Sequence, residues 1–548
     1  MSGSLIYPLI CRLPCRLICL GIPAAFALMF GGSAVAQSIE LDRPMGESLA
    51  RAMLGRFGYG PTTDSIANVA RMSPRAYVEQ GIFEDSILPT AISSQIAEMP
   101  NAQPIELTWA AYGPGGSERD DLKDDQTRKK EVQQLERLHV RSAIKARLLA
   151  MANSDNQAHE ALFSFWLNHF SIYAPKSFGK ILVGDYARHI EAAMKEDSFE
   201  TLLRASFFHP AMQIYLDNAQ STAPNSRAAR VAANRGKKPG INENLARELM
   251  ELHTLGVDAG YTQTDVQELA RVISGAGIWR ANMNDRALDR AGAVRKALFL
   301  FDPRRHDFEA KRLLGRSFPP GHGLDEIDQA LHLLAIHPAT ARHISRKLAL
   351  RFLSDTPSEA VVKSMADAFL QSGGGISATL DAMLQSPQFA ASIEKQAKFK
   401  EPLDQLLSTA RAACQSQPVG NAELLVASAM DAGQAPFMRT TPDGYGAREA
   451  DWLSPAAMAK RVRFAMGIAA NRIPLAQADS DNARNSFRLK EMNEGKQRFM
   501  RGSPCQPDLR AIETALGPLS PATSAAIAEL GPNEQVAALL SSPEALHR

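Results

Sequence analysis

Helical periodicity runs through almost every apolar stretch of this chain, while the alternation of a half-buried strand is scarce. No other feature restricts the fold as much. In HEALFSFWLNHFSIY, Phe163, Trp166 and Phe170 recur at i, i+3 and i+7, one face of an α-helix. HPATARHISRKLALRFL, residues 337–353, reads as an amphipathic helix with a basic side. Ala, Leu, Arg, Glu and Met fill such segments, and these residues lose little freedom in a helix. ALFLF, residues 297–301, is the best candidate for an isolated strand. There is no P-loop, no G-x-G-x-x-G and no fixed-period repeat. The expectation is an all-α, multi-helical globular fold with long polar loops and at most a minor β element.

The connections follow from composition. Residues 101–119 are rich in Pro and Gly and read as a loop. A charged helix runs from Asp120 toward Met151, its charges read as a solvated face. Residues 218–240 read as a long loop with five basic residues and no acid; a loop of that length inside a compact domain is usually functional or disordered. DPRRHDFEAKRLLG, residues 302–315, is expected to end in a short helix. A Pro/Gly-rich stretch at 434–455 precedes a helix from Ala456.

At the N-terminus, Arg12 and Arg16 precede an apolar run, residues 17–30, and Ala34-Val35-Ala36 follows. That is the order of a secretory signal, with cleavage expected after Ala36. The run is short for a bilayer span, which takes about 20 residues, so no stable span is expected after cleavage and the destination is periplasmic or secreted. The chain carries 61 basic and 59 acidic residues, net +2. Without its first 36 residues it is near neutral, which argues against bulk nucleic-acid binding. Three cysteines leave with the signal. Cys414 and Cys505 remain, either as one disulfide in an oxidising compartment or as two separate buried thiols. The organisation expected is a signal at 1–36, a helical domain at 40–466 and a helical appendage at 467–548.

The densest chemistry lies in NENLARELMELHTLGVDAGYTQTDV, residues 242–266. Projected at about 100° per residue, Glu243, Asn244, Arg247, Glu248 and Glu251 share one face and His253 falls among the leucines. Glu243, Arg247 and Glu251 form an i, i+4, i+8 line. Asn242 suits an N-cap, and Gly256 suits a left-handed C-terminal position with Val257 packing back on Leu252. Thr262 can cap Asp265, and Tyr261 with Val266 forms a staple. Val266, Leu269, Ala270 and Ile273 make the buried face of the second helix. Capping accounts for Asn242, Gly256 and Thr262 but not for Asn244, Glu248 or His253, which belong either to a buried network that fixes packing or to a site.

The motifs ESLARAMLGRFGYGP, FWLNHF, HPAMQIYLDN, NENLARELMELHTLGVDAGYTQTDVQELARVISG, HDFEAKRLLG and HPATARHISRKLALRF, in this order, resemble the DUF1800 family over residues 47–466. RLHVRSAIKARLL stands where that family usually has a tryptophan-rich segment. The resemblance implies a mostly helical exported bacterial protein, often encoded beside an exported protein of sulfatase- or phosphatase-like fold, and it supplies no reaction.

No HExxH, CxxC or G-x-S-x-G appears, which disfavours zincin and α/β-hydrolase chemistry. The leading expectation is a hydrolase or lyase acting on an extracytoplasmic glycan or other polymer. Its catalytic set would be Glu248, Glu251, His253 and His169. Asn168, Asp217, Asn218, Asn244, Arg247 and His306 would contact substrate. Asp217, an acid at a helix C-terminus, wants a local partner, with Arg247 or the loop's cations in reach. Asp307 suits a helix N-cap, and His337 and His343 read as helix-end and surface residues. If Glu248, His253, His169 and His306 converge, they could hold a divalent metal, though no spacing requires a cofactor. The competing expectation is a non-enzymatic accessory or chaperone for the sulfatase- or phosphatase-like partner.

Overall fold

The computed structural model describes residues 38–120, 125–476 and 502–548; the expected signal lies outside them. Helices dominate, with five three-residue strands: β1 (Ala276–Ile278), β2 (Val294–Lys296), β3 (Phe299–Phe301), β4 (Lys311–Leu313) and β5 (Arg316–Phe318). β1 and β2 pair antiparallel with the two edges of β3, and β4 pairs with β5. The all-α expectation holds, and ALFLF supplies β3. Among the described residues no helix is long and apolar enough to cross a membrane.

The Gln157–His169 helix is the centre of the core. Asn156 caps it through the His159 amide, and its predicted stripe is buried, with Phe163, Trp166 and Phe170 at most 1% exposed. Trp166 and Phe170 stack at 6.3 Å, and Phe170 stacks on Phe199 at 6.2 Å. Burying aromatics of this size contributes roughly 2–3 kcal/mol each. The Pro338–Phe352 helix, capped by His337, packs along the Glu359–Gln371 helix. The Pro402–Cys414 helix is buried along its whole length.

Several local expectations are corrected. Residues 101–119 hold a helix, Ile105–Tyr112, whose Trp109 is buried and donates to Trp279 O at 3.0 Å; Pro and Gly bracket it rather than fill it. The loop at 218–240 contains the Arg227–Ala233 helix, capped by Ser226. HDFEAKRLLG ends in the β4–β5 hairpin, not a helix. Leu314 and Gly315 both have positive φ, +49° and +79°, the geometry of a two-residue hairpin turn that matches strand twist. The charged Gln126–Asn153 helix is only partly solvated: Glu136 is buried against Arg119 and Lys180, and Arg147 pairs with Glu160 at 2.7 Å.

The described residues form one compact unit. The Pro532–Leu540 helix packs on the Pro455–Ala469 helix. Phe399 bridges to His547, and Cys414 is disulfide-bonded to Cys505. The segment after 502 therefore contributes to the same core.

Candidate functional site

The helix opening at Asn244 does not continue as a regular α-helix. It is α-helical over Asn244–Glu248 and widens into a π-turn over Leu249–His253. Asn242 Oδ1 accepts the Asn244 amide at 2.8 Å, as an N-cap should. At the other end the Gly256 amide reaches back to Met250 O at 3.1 Å. Gly256 has φ +90°, and a Cβ there would lie 2.9 Å from His343 Nδ1, so both conformation and space require glycine. Val257 is 66% exposed rather than packed on Leu252. Thr262 forms its capping box with Asp265, and Val266, Leu269, Ala270 and Ile273 are all fully buried.

The π-turn ends on carbonyls that two histidines complete. His169 Nε2 donates to His253 O at 3.1 Å, and His343 Nε2 donates to Leu252 O at 3.1 Å. π-turns occur often at functional sites. His343 is therefore an interior residue, not the surface residue its helix position implied. The three rings cluster, with His169 6.1 Å from His253 and 6.4 Å from His343 between centroids. His253 is fully buried, and neither ring nitrogen has a hydrogen-bond partner; the same is true of His169 Nδ1. Burial, then the charge of Lys347, holds all three below the ordinary histidine value: His253 at about 3, His343 at about 4 and His169 well below. All three are neutral near pH 7.

Lys347 is the residue that sequence reasoning missed. His343, Lys347 and Arg351 form an i, i+4, i+8 line on the Pro338–Phe352 helix, and this line turns inward. The outward Arg342 and Arg346 pair with Glu359 instead. Arg351 is buried and fully compensated, reaching Glu401 Oε1 at 3.0 Å and both oxygens of Asp404 at 2.8 and 2.9 Å. Among the described residues Lys347 has no ion-pair or hydrogen-bond partner, and burial lowers its pKa to about 8, with Asp443 only partly opposing.

Lys347 lines a cleft of about 290 Å³ between the Gln157–His169, Pro338–Phe352 and Pro402–Cys414 helices, under residues 434–451. Asn168 pins that cover: its Nδ2 donates to Tyr445 O at 2.9 Å and its Oδ1 accepts the Tyr445 amide at 2.7 Å. Gly444, at φ +76°, permits the approach, since a Cβ there would lie 2.3 Å from Asn168 O. Tyr215 Oη donates to Thr440 O at 2.9 Å, the Ala174 amide donates to Phe437 O, and Lys398 Nζ donates to Ala447 O. Arg439 and Asp443 pair at 2.9 Å on the cover.

The other sequence-predicted residues divide. Glu248 is half-buried, carries no salt bridge, and is electrostatically coupled to Asp443 of the cover and to Tyr215. Burial, then the Glu251 carboxylate, raises its pKa, with Arg247 opposing. Arg247 pairs with Glu251 at 3.2 Å and Glu243 at 3.5 Å, the predicted line; on so exposed a face each pair contributes about 0.3–0.5 kcal/mol. Asn244 sits on the first turn of that helix. Asp217, with φ +60°, pairs with Lys176 at 3.0 Å, not with Arg247 or the loop's cations. Asn218 is buried and donates to Gln213 Oε1 at 2.7 Å, which ties its turn to the helix before it. His306 belongs to a separate buried group, 3.0 Å from Glu326 Oε1, which Lys311 also reaches at 2.7 Å. Asp307 caps no helix; it accepts from Arg271 at 2.9 Å. Asn168 and Lys347 thus share the cleft, His169 and His253 stand behind Lys347, Glu248 adjoins the cover, and His306 does not line the cleft.

Among the described residues, the three-residue set whose ligating atoms lie close enough for one metal ion is Asp185, His189 and His209. His209 Nδ1 accepts the Ala211 amide at 3.1 Å, which leaves Nε2–H to donate to Asp185 Oδ2 at 3.1 Å. Both ring nitrogens are therefore engaged, and the group reads as a helix cap.

These features define a mainly helical protein with a charged cleft backed by neutral histidines. Residues 52–547 match the model of a protein family of unknown function, DUF1800, and the chain belongs to that family. No curated protein and no solved structure matches it.

Proposed function

We propose that this chain is an exported acid–base enzyme, a hydrolase or lyase of an extracytoplasmic polymer, whose reaction takes place in the cleft at Lys347. The observation that carries this reading is Lys347 itself. An uncompensated ammonium in a largely buried position is costly, and a cost of that kind in a cleft is a mark of functional sites. Below pH 8 the ammonium stabilises negative charge that develops on the substrate, a role strengthened where water is excluded. Glu248, with its raised pKa, stands beside Asp443 of the cover rather than in the cleft's lining, and from there it supplies or removes the proton. His169 and His343 are positioning residues: neutral, they complete the carbonyls of the π-turn, and the His253 ring packs beside them, without competing for the charge of Lys347. The Cys414–Cys505 disulfide supports an oxidising, extracytoplasmic compartment. Nothing in the geometry favours the accessory role beside a sulfatase- or phosphatase-like partner over this reading.

The test is turnover of a panel of extracytoplasmic polymers, followed by new reducing ends and by ultraviolet absorbance of unsaturated products. Glu248→Gln and Lys347→Met should each lower the rate at least a hundredfold with the circular dichroism spectrum unchanged. Turnover that neither substitution affects would refute the assignment.

A further inference from the structure

Outside the cleft, the strongest unexplained feature is the segment between residues 222 and 240. Its ends are pinned together: the Thr222 amide donates to Gly240 O at 3.1 Å, and the Asn242 amide donates to Ser221 Oγ at 3.1 Å. Ala223 and Ala228 are tied to the carbonyls of Arg305 and Arg304 at 2.9 and 2.8 Å. Between these ties, Arg227, Arg230, Arg235, Lys237 and Lys238 are all exposed, none pairs with a carboxylate among the described residues, and residues 218–240 contain no acid. The arm differs from other exposed stretches in density: five cations fall within twelve residues with no acid among them, whereas Arg342 and Arg346 share Glu359 and Lys363 meets Asp367. A fixed arm with five unpaired cations is an electrostatic footprint.

The arm and the cleft are joined. The arm's root follows Tyr215 and Asp217. The Tyr215 hydroxyl holds the cleft's cover at Thr440 O, and Lys176 bridges Tyr215 O at 2.5 Å and Asp217 at 3.0 Å. The cleft has its own uncompensated cation at Lys347. Among the described residues, Lys347 and the arm thus each present cations with no carboxylate at ion-pair distance; of the carboxylates that line the cleft, Glu401 and Asp404 are engaged by Arg351 and Asp443 by Arg439.

We infer that the polymer is a polyanionic glycan, with one acidic group seated against Lys347 Nζ in the cleft and further acidic groups of the same chain lying on the 227–238 arm. This rests on the reading of the cleft as the site of reaction and names its substrate class. The arm's surroundings favour a glycan over other polyanions. Its exposed polar side chains include Asn225 and Asn234, whose amides both donate to and accept from sugar hydroxyls. Its Arg227–Ala233 helix shows one large exposed apolar residue, Val231, whereas a helix lying on a membrane needs a broad apolar face. Residues 218–240 contain no aromatic side chain on which the bases of a single-stranded nucleic acid could stack.

The experiment measures binding of polygalacturonate, heparin and monomeric galacturonate to the full mature chain at low and high salt. One variant replaces Arg227, Arg230, Arg235, Lys237 and Lys238 by Ser, all exposed positions at which the one local tie lost is Arg230 Nη1 to Asn225 O at 3.0 Å, with the fold checked by circular dichroism; the other is Lys347→Met. At least one of the two polymers should bind in a salt-sensitive way, at least tenfold more weakly to the arm variant. Galacturonate should bind the wild type and the arm variant alike, and Lys347→Met should abolish its binding. Failure of both acidic polymers to bind would overturn the inference, as would arm-dependent binding that is tighter to phosphatidylglycerol vesicles or to single-stranded DNA. Acidic-polymer binding without turnover would leave the inference standing and count against the enzymatic reading. Turnover of a neutral glycan with no acidic-polymer binding would do the reverse.

Discussion

Lys347 carries an unfavourable folding term, and its sign with pH is fixed. Burial lowers its folded value to about 8 from the ordinary 10.5. Below pH 8 both folded and unfolded chains hold the proton, and the folded chain bears the full cost. Between about 8 and 10.5 the unfolded chain binds more proton, so stability contributed by this group rises with pH across that window. Lys347→Met should therefore stabilise the protein by about 3 kcal/mol at pH 7 and flatten that rise, read by urea unfolding at pH 7 and pH 10. A residue whose removal stabilises the fold and abolishes ligand binding is held for function rather than for stability. The sequence exposed the i, i+4, i+8 line at Glu243, Arg247 and Glu251 because opposite charges announce themselves. The matching line at His343, Lys347 and Arg351 read only as the basic side of an amphipathic helix, since periodicity cannot tell which side of a helix meets a buried partner. Glu401 and Asp404, which compensate Arg351, lie 50 or more residues away in sequence.

At the scale of elements, capping chemistry was the most legible part. Asn242, Gly256 and Thr262 act where the sequence places them because each satisfies a local backbone demand within a few residues. The π-turn was not legible. It depends on His169 and His343, from two other helices, completing the carbonyls of His253 and Leu252. The β4–β5 hairpin was missed for a related reason: KRLLG has helical composition, and only the positive φ at Leu314 and Gly315 turns it back as a strand pair. The turn at Gly256 yields a prediction. Gly256→Ala strains a positive φ and drives a Cβ against His343, so it should cost about 1–3 kcal/mol, measured by thermal unfolding. His343→Ala in the same background should relieve part of that cost, because the clash partner is gone. A Gly256→Ala protein as stable as the wild type would mean the π-turn does not adopt this geometry.

For the whole molecule, the helical class followed from composition and period, whereas the integration of the segment after residue 502 did not. That segment is held by the disulfide, by Phe399 bridging to His547 and by packing of Pro532–Leu540 on Pro455–Ala469, all contacts of long sequence separation. The disulfide spans 91 residues, and closing a loop of that size stabilises a chain by about 4–5 kcal/mol on the chain-entropy account. Reduction, or Cys414→Ser with Cys505→Ser, should lower the unfolding free energy by an amount of that order, seen as a shifted urea midpoint; an unchanged midpoint would show that the segment is held by packing alone.

For the cleft to act as proposed, Lys347 must be an accessible amine of low pKa inside it. Competitive acetylation of the native full chain across pH 6–11, quantified lysine by lysine by mass spectrometry, tests this directly, with Lys237, Lys238 and Lys363 as exposed internal references. The prediction is a labelling midpoint for Lys347 near pH 8, well below those references, and protection when an acidic glycan is bound. A midpoint that coincides with the exposed lysines, or no labelling at any pH, would contradict it.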